Sequence, residues 1–334
     1  MVNMIRCAIC IRLFVETEIL MRPTRKRFRA NSLFGSRPVL YDAYRTVCSD
    51  YVYYNVYEEN GLARSISAPN LGRVAELGPS DPPILSSSDL FSTTQLLATL
   101  SQTPNSHLFI GRNQGNNSLL VVKLIDGSSK AGRTTINNEL RYLKTNTKHP
   151  NLIEYYGQRT INQITMIYQE YFHSVDLFTL LQQCKRLASP IISKIFKQLV
   201  SAISYLHKQR ICHLDIKLEN ILINKHSQIK ITDFGMAQIA LKNGQVEAYG
   251  GSLYYAAPEA ITGGIYNGFL ADAWSCGIVV FVLANGYFPK QANRSIHLPN
   301  TPAFVKQATN YLLEIDPGKR SPISRFQSEH KKIQ

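Results

Sequence analysis

Acidic residues, cysteines and long apolar runs are all scarce in this chain of 334 residues. It has 23 Asp and Glu against 37 Lys and Arg, and therefore a formal net charge of +14. The six cysteines lack the density of a secreted disulfide scaffold, which favours a reducing compartment. No apolar run reaches the roughly 18 residues that a membrane-spanning helix requires. We therefore expect no membrane span and a cytoplasmic or nuclear protein.

The positive charge has two interpretations. It can attract acidic partners such as nucleic acid, anionic membranes or acidic protein segments. It can equally be a solvated basic surface combined with a basic tail. Nothing beyond net charge indicates nucleic acid, so we do not expect nucleic-acid binding to be the function.

Residues 1–88 differ in composition from the rest of the chain. They lack sustained helix or strand periodicity, carry a basic cluster from Arg22 to Arg29, and end in Pro- and Ser-rich turns. Such a segment buries too little apolar surface to order itself, so we predict a largely disordered N-terminal tail. The basic cluster fits a nuclear localisation signal and a solvated tail equally well.

Regular apolar patterns begin at about Leu90. Strands are predicted at 119–125 and 164–171, with a helix between them at 137–144. Further helices are predicted at 177–184, 191–207 and 271–283. A strand-rich part followed by a helix-rich part indicates an α+β fold with two lobes.

The segment from Ile211 to Gly235 concentrates groups suited to phosphoryl transfer. Asp215 can accept a hydroxyl proton, and Lys217 can neutralise developing charge. Asn220 and Asp233 supply oxygen ligands of the kind that magnesium prefers. Few groups suffice because phosphoryl transfer depends mainly on positioning and charge neutralisation.

This segment resembles the catalytic and metal-binding loops of eukaryotic-type protein kinases. The resemblance covers about residues 90–330 and implies a bilobal kinase fold, using ATP and Mg²⁺ and acting on protein substrates. It places an antiparallel β N-lobe at about 90–168, a hinge at 169–172 and a mainly helical C-lobe at 173–330.

The resemblance also points to serine and threonine as acceptors. Lys217 lies two residues after Asp215, and Ser252 lies where serine/threonine kinases have a hydroxyl that bridges the catalytic Asp and Lys. The sequence from Gly251 to Glu259 most resembles the calmodulin-dependent and AMP-activated kinase group.

Further roles follow from the matched positions. Lys123 matches the strand lysine that pairs with nucleotide phosphates, and Glu139 matches the helix glutamate that holds this lysine. Glu259, which ends the activation segment, is implied to pair with Arg320. Asp272 is implied to brace the backbone of the catalytic loop.

The implied nucleotide site includes the hinge residues Glu170 and Tyr171. Asp176, at the start of the next helix, matches a ribose contact and can also serve as a helix cap. The other implied contacts are Leu100, Ser101, Gln102, Thr103, Pro104, Asn105, Ser106, His107, Leu108, Val121 and Leu222.

The nucleotide flap, residues 100–108, departs from the kinase pattern because it contains no glycine. Ser101, Thr103 and Ser106 occupy the three glycine positions, and Pro104 removes a backbone donor. We therefore expect weaker nucleotide affinity. The alternative function is a pseudokinase that acts as a scaffold or allosteric partner and binds nucleotide weakly.

The second departure concerns control of activity. Leu214 replaces the arginine that grips a phosphorylated activation-segment residue, and the usual phosphoacceptor position is Ala248. No Ser or Thr lies between Asp233 and Gly251. Since both the phosphate-binding arginine and the phosphorylated residue are missing, we expect no control by activation-loop phosphorylation.

One short motif lies in the tail. The segment from Arg64 to Pro69 resembles the phosphoserine motif bound by 14-3-3 proteins, with Ser67 as the phosphosite. A phosphate there would add negative charge and acceptor oxygens for an arginine cluster on the partner. A chance match in a tail rich in Ser and Arg is the alternative.

Overall fold

The computed structural model describes residues 55–57, 63–65, 94–103, 106–143, 148–248, 251–289 and 302–329. The chain divides into two compact units. Of the described residues, the first unit contains 94–103, 106–137 and 154–171. The second contains 55–57, 63–65, 138–143, 148–153, 172–248, 251–289 and 302–329.

Most of the predicted tail lies outside the described residues, and so do the basic cluster and Ser67. Within the tail, strands β1 (Asn55–Tyr57) and β2 (Ala63–Ser65) pair antiparallel. Disorder of the tail and binding of 14-3-3 proteins therefore stay predictions.

The first unit contains a five-stranded antiparallel sheet with the strand order β3-β4-β5-β7-β6. Its strands are β3 (Thr94–Thr103), β4 (Ser106–Asn113), β5 (Leu119–Asp126), β6 (Tyr155–Ile161) and β7 (Ile164–Glu170). The central strands β5 and β7 supply the buried Leu120, Val122 and Tyr168, against which Met166 packs. The β-branched and aromatic side chains of these strands suit a half-buried pleated surface.

Helix α1 (Lys130–Leu143) follows β5 and begins seven residues before the predicted start. Gly132, Thr134 and Thr135 are weak helix formers, so the pattern does not indicate a helix there. Gly132 lies against the carbonyl oxygen of Asp126, which an added Cβ would overlap. Close packing against β5 thus fixes the first turn despite low propensity.

Short antiparallel strand pairs organise the loops of the second unit. The strands are β8 (Val175–Asp176), β9 (Ile211–Cys212), β10 (Ile221–Ile223), β11 (Ile229–Ile231), β12 (Gln238–Ile239), β13 (Gln245–Ala248) and β14 (Gly264–Asn267). The pairing is β11-β10-β8, β12-β9 and β13-β14. The loop between β9 and β10 carries Asp215, and the loop between β11 and β12 carries Asp233.

Helices form the remainder of the second unit. They are α2 (Leu177–Cys184), α3 (Ser189–Lys208), α4 (Pro258–Thr262), α5 (Gly268–Asn285), α6 (Ala303–Leu312) and α7 (Arg325–Glu329). Pro190 lies in the first turn of α3, where its missing N–H costs nothing. The α+β fold class predicted from the sequence is confirmed, whereas the predicted domain bounds stay predictions.

Helix α5 is buried around most of its circumference and forms the core of the second unit. The side chain of Asn267 caps its N-terminus, and Gly286, with φ of 75°, ends it in the left-handed conformation. Its mean hydropathy of 1.6 and its length of 18 residues would also suit a membrane span. Because 78% of this helix is buried inside the protein, the apolar sequence is that of a core helix.

Candidate active site

The carboxylate of Asp215 is the centre of a hydrogen-bond network in the second unit. Lys217 Nζ donates to Asp215 Oδ2 at 2.7 Å, and Asn220 Nδ2 donates to the same oxygen at 3.0 Å. Ser252 donates to Asp215 Oδ1 through its hydroxyl at 2.8 Å and its backbone N–H at 3.1 Å. Four donors therefore surround this buried carboxylate, two on each oxygen.

Ser252 joins the activation segment to the catalytic loop. Its hydroxyl oxygen also accepts a hydrogen bond from Lys217 Nζ at 3.0 Å. Gly251 precedes it with φ of 99°, and an added Cβ there would lie 3.0 Å from Leu214 O. Glycine allows both this conformation and this close approach. The bridge predicted for Ser252 is present.

Asp272 on α5 binds the backbone of residues 213–220, the loop between β9 and β10 that resembles the catalytic loop of protein kinases. Its Oδ2 accepts from His213 N at 2.9 Å, and its Oδ1 accepts from Leu214 N at 2.8 Å. Leu214 has φ of 62°, a conformation that is costly for a branched side chain. The two charge-assisted hydrogen bonds offset that cost, so the carboxylate fixes the turn that presents Asp215.

His207 is a further partner of Asp272 that the sequence reasoning missed. Its Nε2 lies 2.8 Å from Asp272 Oδ2, and its ring packs on Phe269 at 4.6 Å between centroids. His207 lies in the last turn of α3, so it ties that helix to α5. No short motif indicated this contact, because the two residues are far apart in the chain.

Asn220 and Asp233 fit a magnesium ion held together with nucleotide phosphates. Asn220 Nδ2 donates to Asp215 O at 2.9 Å as well as to its carboxylate, which orients the amide and leaves its oxygen for a cation. Thr232 N donates to Asn220 O at 3.0 Å, which brings the residue before Asp233 against Asn220. Asp233 takes φ of 66°, and its Oδ1 accepts from Gly235 N at 3.4 Å.

This donor set differs from that of a permanent metal centre. No group of three or more His, Cys, Asp or Glu side chains able to hold a metal occurs in the described part of the chain. One carboxylate and one amide oxygen suit Mg²⁺, which keeps waters and phosphate oxygens as its other ligands. The chemistry of the two residues therefore fits the predicted role.

Phe234 anchors an aromatic stack behind the catalytic loop. Its ring lies parallel to Tyr142 at 3.4 Å between centroids and is tilted against His213 at 4.9 Å. The resemblance to protein kinases implies that His213 and Leu143 stack on Phe234; the contact with His213 is present, and the side chain of Leu143 is not among those that the structure describes. Tyr142 was missed, although it follows Glu139 by three residues on the same helix.

Arg320 forms the predicted ion pair with Glu259. Nη1 donates to Glu259 Oε1 at 2.5 Å and Nη2 donates to Oε2 at 3.0 Å. The guanidinium is fully buried and lies 4.9 Å from the ring of Trp274. This pair fixes the end of the activation segment.

The described residues of the nucleotide flap form a tight hairpin in the first unit. Thr103 pairs with Ser106, and the Thr103 hydroxyl donates to Ser106 O at 3.2 Å. Pro104 and Asn105, at the tip, lie outside the described residues. Leu108 on β4 pairs with Lys123 on β5, so the hairpin continues directly into the strand of the predicted phosphate lysine. The pairing of β3 with β4 thus extends to Thr103 and Ser106, the last described residues on either side of the tip.

The remaining predicted residues are placed as follows. Lys123 is buried on β5, and Glu139 is buried on α1. Val121 pairs with Gln169, and Glu170 ends β7 directly before Tyr171. Their contacts with each other and with nucleotide stay predictions.

Asp176 caps α2, one of the two roles considered for it. Its carboxylate accepts from Thr179 N and from the Thr179 hydroxyl, each at 2.7 Å. Burial raises the pKa of Asp176, and the bonds from Thr179 oppose that rise. Asp176 also pairs with Leu222 in the sheet, so these two predicted nucleotide contacts are neighbours.

Comparison with known proteins gives one family. The model of the protein kinase domain matches residues 98–326, which is more than half of the chain. A protein kinase domain-containing protein, ppk9, from Schizosaccharomyces pombe is 34% identical over 194 residues, covering 57% of this chain and 36% of that protein. The serine/threonine-protein kinase kin-29 from Caenorhabditis elegans is 32% identical over 228 residues, covering 64% of this chain and 28% of that protein.

A third relative bears on the subgroup. CBL-interacting serine/threonine-protein kinase 15 from Arabidopsis thaliana is 32% identical over 196 residues, covering 57% of this chain and 46% of that protein. The predicted resemblance to serine/threonine kinases, including the calmodulin-dependent group, is confirmed. The chain spans less than half the length of each of these relatives.

Proposed function

The chain belongs to the protein kinase domain family, and we propose that it is a serine/threonine kinase that transfers the γ-phosphate of ATP to protein hydroxyls. The observation that carries the proposal is the Asp215 carboxylate, held by Lys217, Asn220 and Ser252 at hydrogen-bond distances. An incoming hydroxyl would replace one of these donors. The relatives named as serine/threonine kinases support this choice of acceptor.

Each residue of the network has a defined task in the transfer. Asp215 orients the acceptor hydroxyl and takes its proton, and Lys217 neutralises charge that develops on the transferred group. Asn220 and Asp233 would hold magnesium, which neutralises phosphate charge when bound. We assign Lys123, held by Glu139, to the nucleotide phosphates.

The proposal predicts labelling that depends on magnesium. Incubation of the chain with radiolabelled ATP, Mg²⁺ and an array of Ser- and Thr-containing peptides should label a subset of peptides, and excess EDTA should abolish the labelling. Magnesium is needed because the side-chain oxygens of Asn220 and Asp233 carry no positive charge and cannot neutralise the phosphates; the bound cation would do so. Labelling that persists in EDTA would contradict the roles of Asn220 and Asp233.

The same assay separates the kinase from its alternative. The glycine-free flap and Leu214 favour a pseudokinase, whereas the complete network around Asp215 favours catalysis. Nucleotide binding without any labelled peptide would establish the pseudokinase.

We also propose that activity does not depend on phosphorylation of the activation segment. Leu214 offers no charge to a phosphate, and Ala248 offers no hydroxyl. Treatment with a broad-specificity phosphatase should therefore change the peptide-phosphorylation rate by less than about twofold. This is well below the tenfold change that about 1.4 kcal/mol of activation free energy produces. Loss of activity that follows loss of phosphate from residues 233–251, measured by mass spectrometry, would refute this.

The tail supplies two further proposals. Phosphorylated Ser67 would bind a 14-3-3 protein, and the cluster from Arg22 to Arg29 would support nuclear as well as cytoplasmic localisation. Both rest on short sequence patterns in the tail.

A further inference from the structure

The activation segment is fixed by backbone pairing along residues 238–248. The first pairing is that of β12 with β9, which directly precedes the catalytic loop. Ala240 N then donates to Arg210 O at 2.7 Å. After a turn at 241–244, β13 pairs with β14 over four residue pairs, and Val246 and Tyr266 form the buried pair of this ladder. Order in this segment therefore comes from hydrogen bonds that need no phosphate.

Asn267, the last residue of β14, bonds in two directions. Its Oδ1 accepts from Leu270 N at 3.1 Å and so caps helix α5. Its Nδ2 donates to Asn243 O, in the turn of the activation segment, at 3.2 Å. The two halves of one amide thus join the segment to the helix.

Two glycines allow the turn to approach the helix so closely. Gly244 has φ of 83°, and an added Cβ there would lie 2.8 Å from Asn267 Oδ1. Its carbonyl oxygen accepts from Gly268 N at 2.9 Å. An added Cβ on Gly268 would lie 2.5 Å from Cys212 Sγ and 3.1 Å from Val246. The start of α5 is therefore packed between β9 and β13.

The same helix end holds the catalytic loop. Asp272 lies one turn after Gly268 on α5 and binds the backbone of His213 and Leu214. Asn267 and Asp272 consequently fasten the activation segment and the catalytic loop to one rigid element. The Ser252 hydroxyl joins the activation segment directly to the catalytic loop by donating to Asp215 Oδ1.

We propose that Asn267 is a positioning residue that keeps the activation segment ordered in place of a phosphate–arginine contact. The proposal rests on the proposed kinase function. The Asn267–Asn243 bond fixes the turn, the turn sets the register of β13 on β14, and this ladder leads the chain to Ser252. An amide is required because one group must accept from the helix and donate to the turn.

Asn267→Asp separates these two bonds. A carboxylate is a good N-cap, so the helix keeps its cap, but it has no N–H for Asn243 O. Hydrogen exchange of peptides covering 241–248 should accelerate about two- to tenfold, which is the worth of one net hydrogen bond. The ratio kcat/KM for a peptide substrate should fall by a similar factor, with KM for ATP and Tm unchanged.

Asn310→Asp is the matched control, since it makes the same charge change on an exposed position of α6. It should alter neither exchange at 241–248 nor kcat/KM. Wild-type exchange at 241–248 in Asn267→Asp would overturn the proposal. A lowered Tm with faster exchange throughout the second unit would overturn it as well, because Asn267 would then be structural only. The exchange result stands whether or not the wild-type chain phosphorylates peptides, so failure of the kinase assignment is recognised separately.

Discussion

Asp215→Asn should lower the rate of peptide phosphorylation by a factor of about 10² to 10⁴, the usual contribution of a general base. In the structure both carboxylate oxygens accept two hydrogen bonds each. An amide of the same shape presents an NH₂ group to one pair of these donors, so Lys217 or Ser252 loses its partner. The variant also has no group that can take the hydroxyl proton. The measurement is kcat for a peptide at saturating ATP.

The remaining properties of this variant should change little. Its affinity for ATP, measured by calorimetry, should stay within about twofold of wild type, since we assign nucleotide binding to other residues. Asp316→Asn is a matched control, because Asp316 is exposed and its Oδ1 accepts from Gly318 N, which an amide oxygen can also do. Equal activity of Asp215→Asn and wild type would remove the catalytic role of Asp215.

The cluster of Asp215, Lys217 and Asn220 could be predicted from the sequence because its residues belong to one short segment; their catalytic roles stay a proposal. Asp215, Lys217 and Asn220 lie within six positions, so one turn of backbone brings them together once it is braced. Ser252 was predicted from the resemblance to serine/threonine kinases, and the structure places its hydroxyl on Asp215. Local spacing and ordered motifs therefore predicted the contacts around Asp215, whereas the predicted nucleotide contacts stay predictions.

Contacts between distant segments were harder to predict. The β13–β14 ladder joins two four-residue strands with no alternating apolar pattern, and only Val246 and Tyr266 are buried in it. His207 reaches Asp272 across 65 positions of sequence. Such contacts follow from the packing of α3, α5 and the activation segment, and no single segment encodes them.

Arg320→Met should lower the free energy of unfolding by roughly 3–5 kcal/mol, the cost of leaving one partner of a buried ion pair alone. All five guanidinium N–H groups are used: besides the two bonds to Glu259, Nε donates to Glu314 O, Nη1 to Leu270 O and Nη2 to Ile315 O. Methionine has similar length but no donor, so Glu259 and three carbonyl groups lose a partner. Trp274, the only tryptophan, lies beneath Arg320 and reports unfolding of the second unit by fluorescence in urea.

Lys319→Met provides the matched control, because it removes the same charge from the neighbouring residue. Lys319 is exposed, and its Nζ lies 3.8 Å from Asp316 Oδ2, so its loss should cost at most about 1 kcal/mol. The double variant Glu259→Leu with Arg320→Met should recover part of the lost stability, since no buried charge is then left unpaired. If Arg320→Met and Lys319→Met cost the same, net charge would explain the effect and the buried pair would not. A larger loss for Arg320→Met that the double variant partly recovers would instead locate the stabilisation in the contact between Glu259 and Arg320, which joins the end of the activation segment to the core of the second unit.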